Sequence, residues 1–137
     1  MELSFSLVIS AKPESVWPFL VDVGLRRQWE TDLEDLAYDN GPALGATGVM
    51  KLADMPPMPF KLVAYSEQHS IADQVEIPGG ATLTFSHEIT ATPETTLLTQ
   101  AVRLDKAAPT LEDVEFLAGV FSGTPEAAWR LKALAEQ

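Results

Sequence analysis

The chain has 137 residues, of which 46% are hydrophobic and 21% charged, an ordinary globular composition with length for one core. Nine Lys and Arg stand against twenty Asp and Glu, a formal charge of -11 that serves solubility and repels nucleic acid and anionic membrane faces. There is no cysteine, which excludes disulfides, thiolate metal sites and cysteine nucleophiles, and no apolar run approaches the ~20 residues that cross a bilayer.

Leu3, Phe5, Leu7 and Ile9 alternate with Glu2, Ser4 and Ser6, which predicts a strand over Glu2–Ser10 rather than a signal peptide. Pro13 suits the first position of a helix, where its missing N–H is not needed. Val16, Leu20 and Val23 then share a face flanked by Trp17, Pro18 is expected to kink the helix or keep it short, and Gly24 is expected to end it. Leu25–Trp29 reads as one more helical turn.

Six strands follow: Leu33–Asp39, Thr47–Ala53, Pro59–Glu67, His69–Ile77, Thr82–Ala91 and Thr95–Lys106. Turn-formers separate several of them, among them Asn40-Gly41-Pro42, Asp54-Met55-Pro56-Pro57, Pro78-Gly79-Gly80 and Thr92-Pro93-Glu94. Connections this short require antiparallel neighbours, and a sheet of seven strands must curl or be covered. The remainder is helical. Thr110 with Asp113 forms a capping box, and Val114, Leu117, Val120 and Phe121 make a stripe that Ala128, Leu131 and Leu134 resume. Ser122-Gly123-Thr124-Pro125 interrupts it, with Gly123 ending one helix and Thr124-Pro125 capping the next.

This order of segments, with Ile9-Ser10-Ala11-Lys12-Pro13-Glu14-Ser15-Val16-Trp17, Phe19-Leu20-Val21-Asp22 and Trp29, resembles the START-like (SRPBCC, Bet v 1-like) superfamily. The opening is most similar to the polyketide cyclase/dehydrase and lipid-transport group, and Gly41 to Gly48 resembles that group's second hairpin. The resemblance covers the whole chain, 1–137, read as one domain. It implies an α+β helix-grip fold: a seven-stranded curved antiparallel sheet around a long C-terminal helix, with two short helices after strand one. It implies no single activity, because the superfamily holds ligand carriers, aromatase/cyclases and chaperone co-activators. It also implies that the loops at 54–59 and 78–80 frame a cavity mouth. Met55 and Met58 then read as a soft lip, or as plain cover for the core edge.

Alternation assigns the inward faces. Met50 and Leu52, then Phe60, Leu62 and Ala64, then Ile71, Asp73, Val75 and Ile77 are expected to point inward. Leu83, Phe85, His87 and Ile89, and Leu98, Gln100, Val102 and Leu104, complete that surface. Apolar walls with a few polar groups are the composition of a small-molecule pocket. The expected ligand-binding set is Met50, Leu52, Phe60, Leu62, Val75, Phe85, His87, Gln100, Val102, Leu117, Val120 and Phe121. His87, Gln100 and Asp73 either satisfy one another and buried water or orient a ligand. His87 and Asp73 are the catalytic candidates, an oriented base if the register brings them side by side, with Tyr38 as a further proton source.

Other chemistry finds no support. The two histidines, His69 and His87, lack metal-ligand spacing, so no metal is expected, and no cofactor motif is present. Gly41–Gly48 matches no phosphate loop, no serine sits on a nucleophile elbow, and Trp17 and Trp29 read as packing residues. The resulting expectation is a cytoplasmic protein, monomeric or weakly homodimeric, that binds a small hydrophobic molecule (a lipid, a polyketide-like aromatic or an isoprenoid). The C-terminal helix would act as a lid hinged near Gly123. Two alternatives stand beside it: a cyclase, aromatase or dehydratase using polar cavity residues, and a protein-interaction module.

Overall fold

The computed structural model describes residues 1–137. The elements in chain order are β1 (Glu2–Ile9), α1 (Pro13–Val21), α2 (Val23–Trp29), β2 (Leu33–Tyr38), β3 (Thr47–Leu52) and β4 (Met58–Ser66). Then come β5 (Ser70–Ile77), β6 (Ala81–Ala91), β7 (Thr96–Asp105), α3 (Leu111–Phe121) and α4 (Thr124–Ala135). All seven strands form one antiparallel sheet in the order β1-β7-β6-β5-β4-β3-β2. The first two strands therefore lie on opposite edges, and α1 and α2 bridge the distance between them. The edge strand β2 carries two acidic residues, Glu34 and Asp35.

The helix-grip expectation holds, with three local corrections. The first break falls at Asp22, not Gly24. The Asp22 carboxylate accepts from the Leu25 N–H at 3.0 Å and caps α2, and Gly24 lies inside that helix. The C-terminal helix is interrupted where expected, but Gly123 is the cap and Thr124-Pro125 already belong to α4. Third, β4 shifts register between Leu62 and Ala64. Leu62 pairs with Asp73, whereas Ala64 pairs with Ala72 and Tyr65 with Ile71. Cross-strand partners share a face, so the bulge turns Ala64 outward and Tyr65 inward, where its ring meets Trp17 edge-on at 5.9 Å. The capping box is present: Thr110 N–H donates to the Asp113 carboxylate at 2.7 Å, and Asp113 N–H donates to the Thr110 hydroxyl.

The core lies on the concave face. Ile9, Leu20, Trp29, Leu62, Ile71, Leu98 and Leu131 are fully buried, together with Met50, Phe60, Val75 and Leu117. Met58 is buried here too, so it is core and not lip. At Gly48 the packing admits no side chain: a Cβ would sit 2.2 Å from the Ala37 carbonyl oxygen and 2.6 Å from the Phe60 ring. No helix is long and apolar enough to cross a membrane.

Candidate functional site: a cleft backed by a buried arginine

The β5–β6 hairpin sets the polar groups. Asp73 pairs with Phe85, and His87 pairs with Ile71 on one side and with Gln100 of β7 on the other. His87 and Gln100 are thus direct neighbours, while Asp73 is diagonal to His87. The closest approach of His87 Nε2 to Asp73 Oδ2 is 4.0 Å, too long for a hydrogen bond.

Arg26 fills the space between them. Helical spacing places Arg26, Trp29 and Glu30 on one side of α2, and that side faces the sheet. Arg26 is 2% exposed. Its Nη2 donates to Asp73 Oδ2 at 2.6 Å, and its Nε donates to Glu30 Oε2 at 2.7 Å. Burial works against the charge, but Asp73 and Glu30 more than offset it, so its pKa is raised and the guanidinium stays protonated.

The same Nη2 faces His87 Nε2 at 3.4 Å. A guanidinium only donates, so Nε2 must accept and the ring proton is assigned to Nδ1. Burial and then the Arg26 charge lower the His87 pKa, which keeps the imidazole neutral near pH 7. Trp29 packs edge-on against that ring at 5.8 Å and donates its indole N–H to the Phe19 carbonyl at 2.8 Å. Four buried polar atoms lack a protein partner: Arg26 Nη1, Asp73 Oδ1, His87 Nδ1 and Gln100 Nε2. All four belong to this cluster. Tyr38 stands edge-on to Phe60 at 5.4 Å, and burial, aided by the charge of Asp73, pushes its hydroxyl up to about 12.

In front of the cluster lies a cleft of about 610 Å³. Its walls are the end of α2 and the next residues (Trp29–Asp32), the segment Leu52–Met55, and Phe85, Gln100 and Val102 from the sheet. α3 adds Glu115, Phe116, Gly119 and Val120, and the helix break with α4 adds Gly123, Thr124, Glu126, Ala127 and Arg130. Of the residues expected to contact ligand, Leu52, Phe85, Gln100, Val102 and Val120 line this cleft. Met50, Phe60, Leu62, Val75, His87 and Leu117 are buried in the core behind it, and Phe121 packs half-buried against that core. Of the two loops expected at the mouth, 54–59 contributes Asp54 and Met55 to this cleft, and 78–80 contributes nothing to it.

Sequence reasoning passed over Arg26 and the carboxylates at the mouth. A signal existed for Arg26, since it stands three residues before Trp29 on the apolar side of a short helix. Nothing in the sequence marks Glu30, Asp32, Asp54, Glu115 and Glu126 as neighbours, because only the folded chain gathers them.

The fold and the cleft define a helix-grip domain with a site between sheet and C-terminal helices. The chain belongs to the family described as polyketide cyclase / dehydrase and lipid transport, whose model matches residues 2–136. No curated protein matches the sequence. Among solved structures it is similar to protein MLL2253 from Mesorhizobium loti, with a TM-score of 0.76, 16% identity and coverage of 98% of this chain and 96% of that one. It is similar to CalU16 from Micromonospora echinospora, with a TM-score of 0.72, 14% identity, and coverage of 97% and 73%. DynU16, a protein of the dynemicin biosynthetic locus, gives 0.73 and 17%; the alignment covers 99% of this chain and 47% of DynU16. At such identities the likeness establishes the fold.

Proposed function

We propose that this protein binds a small hydrophobic molecule in the cleft between its sheet and its C-terminal helices. The observation that carries the reading is the cleft of about 610 Å³, whose apolar walls are Trp29, Leu52, Met55, Phe85, Val102, Phe116 and Val120. A lipid, a polyketide-like aromatic or an isoprenoid fits that surface, and membership of a family of ligand-handling proteins supports the class. Binding is favoured over proton-transfer chemistry by the state of the basic groups. His87 presents its lone pair to Arg26, and Asp73 is held by the same guanidinium, so neither offers a free base to the cleft.

Gly119 supplies the test. It lines the cleft in the last turn of α3, and a Cβ there meets nothing within 4 Å. Gly119→Trp fills the cleft while removing a helix-weakening glycine. The uncharged dye N-phenyl-1-naphthylamine should bind the wild-type chain with enhanced fluorescence and bind the variant at least tenfold more weakly. Equal binding by a variant that circular dichroism shows to be folded would sink the assignment.

A further inference from the structure

We infer that the cleft selects uncharged molecules carrying a hydrogen-bond-accepting oxygen at the inner end, and turns away carboxylates of the same shape. The inference rests on the reading of the cleft as a ligand site and adds the chemistry of its occupant.

The first observation lies at the inner wall. Gln100 is 4% exposed, lines the cleft, and its amide Nε2 has no protein partner. Behind it stand two more unpartnered donors, Nδ1–H of His87 and Nη1 of Arg26, against a single unpartnered acceptor, Asp73 Oδ1. A buried donor left unpaired is costly, so the Gln100 amide at the inner wall is complementary to an acceptor, while His87 and Arg26 stand behind that wall and do not line the cleft. A ketone, quinone or ether oxygen meets that need.

The second observation concerns charge. A carboxylate would also accept from Gln100, but it needs a cation to offset its desolvation. Arg26 does not provide one. Its charge is already met by Asp73 at 2.6 Å and Glu30 at 2.7 Å, which leaves that group of three at net -1. Around the opening stand Asp32, Asp54, Glu115 and Glu126 against one cation, Arg130, which is itself bonded to Glu126 at 2.7 Å and to the Thr31 hydroxyl at 3.0 Å. An anion entering the cleft meets the same sign of charge at the mouth and at the base.

Three matched probes separate these terms: 2-acetylanthracene, 2-ethylanthracene and anthracene-2-carboxylate, with binding followed by probe fluorescence anisotropy. The wild-type chain should bind the ketone about tenfold more tightly than the ethyl compound, and the carboxylate at least tenfold more weakly than the ketone. Raising the salt concentration should narrow the gap between carboxylate and ketone, because the rim charges are exposed to screening. In Gln100→Leu the ketone should lose its advantage while the ethyl compound still binds, which also shows that the variant keeps its cleft. The inference is overturned if the carboxylate binds as well as the ketone, or if Gln100→Leu leaves the preference for the ketone over the ethyl compound intact. If none of the three probes binds, the reading of the cleft itself fails, and this inference with it.

Discussion

Gly48 and Gly119 lie on the two sides of the space between sheet and helices. A methyl group at Gly48 would be driven into the Ala37 carbonyl and the Phe60 ring, at 2.2 Å and 2.6 Å. At Gly119 it would touch nothing within 4 Å. Around Gly48 the concave face is filled by Met50, Phe60, Leu62 and Val75, and this packing stabilises the fold. Around Gly119 the same sheet presents Phe85, Gln100 and Val102 to an open cleft. A fold that packs one end of its concave face tightly and leaves the other end open separates stability from the proposed binding. Arg26 and its carboxylates stand at the boundary between the two.

The largest effect is expected at that boundary. Arg26→Met leaves Asp73, 0% exposed, without its cation, and breaking a buried pair from one side costs about 3–5 kcal/mol. Urea denaturation should show it, and adding Asp73→Leu to the variant should recover much of the loss. A cost below about 1 kcal/mol for Arg26→Met would mean that the pair is solvated and the boundary is not closed.

The two glycines should respond with opposite signs. Overpacking at Gly48→Ala costs about 1–3 kcal/mol, whereas Gly119→Ala, in the last turn of α3, gains up to about 0.5 kcal/mol of helix propensity. Destabilisation of similar size at both positions would erase the contrast between packed and open ends.

A smaller effect follows from His87. Burial and Arg26 lower its pKa below the value near 6.5 expected of an unfolded chain. Between those two values the unfolded chain binds a proton that the folded chain refuses. The His87 contribution is therefore fully present above about pH 6.5 and is lost as the pH falls through the folded value. Comparing urea midpoints at pH 7.5 and 5.5, the wild-type chain should lose more stability than His87→Gln over that step. Identical losses would show that His87 titrates as an exposed imidazole does.

The strands and their inward faces were the legible part of the sequence. Period-two alternation and turn chemistry located every strand, and the inward positions of β5, β6 and β7 follow from it without correction. Where alternation failed, at Ala64 and Tyr65, a one-residue bulge had reversed the phase, and a bulge carries no composition of its own. The helix start at Asp22 was within reach of capping rules, but Gly24 drew the boundary instead. The open end was harder because its chemistry is tertiary. Gln100 was visible as a polar residue on an inward face, yet Arg26 finds its partner only in the folded chain, where Asp73, 47 residues later, comes to lie against it. The mouth carboxylates come from four separate stretches of chain.

The most direct test of the cleft as the binding site is a ¹H–¹⁵N NMR titration of the wild-type chain with N-phenyl-1-naphthylamine. The account predicts saturable shifts at the Gln100 side-chain amide, the Trp29 indole, and the backbone of Phe116, Gly119 and Val120, with the Trp129 indole, 62% exposed on α4, unmoved. Shifts confined to Trp129 and its surface neighbours, or no shifts at saturating dye, would contradict it.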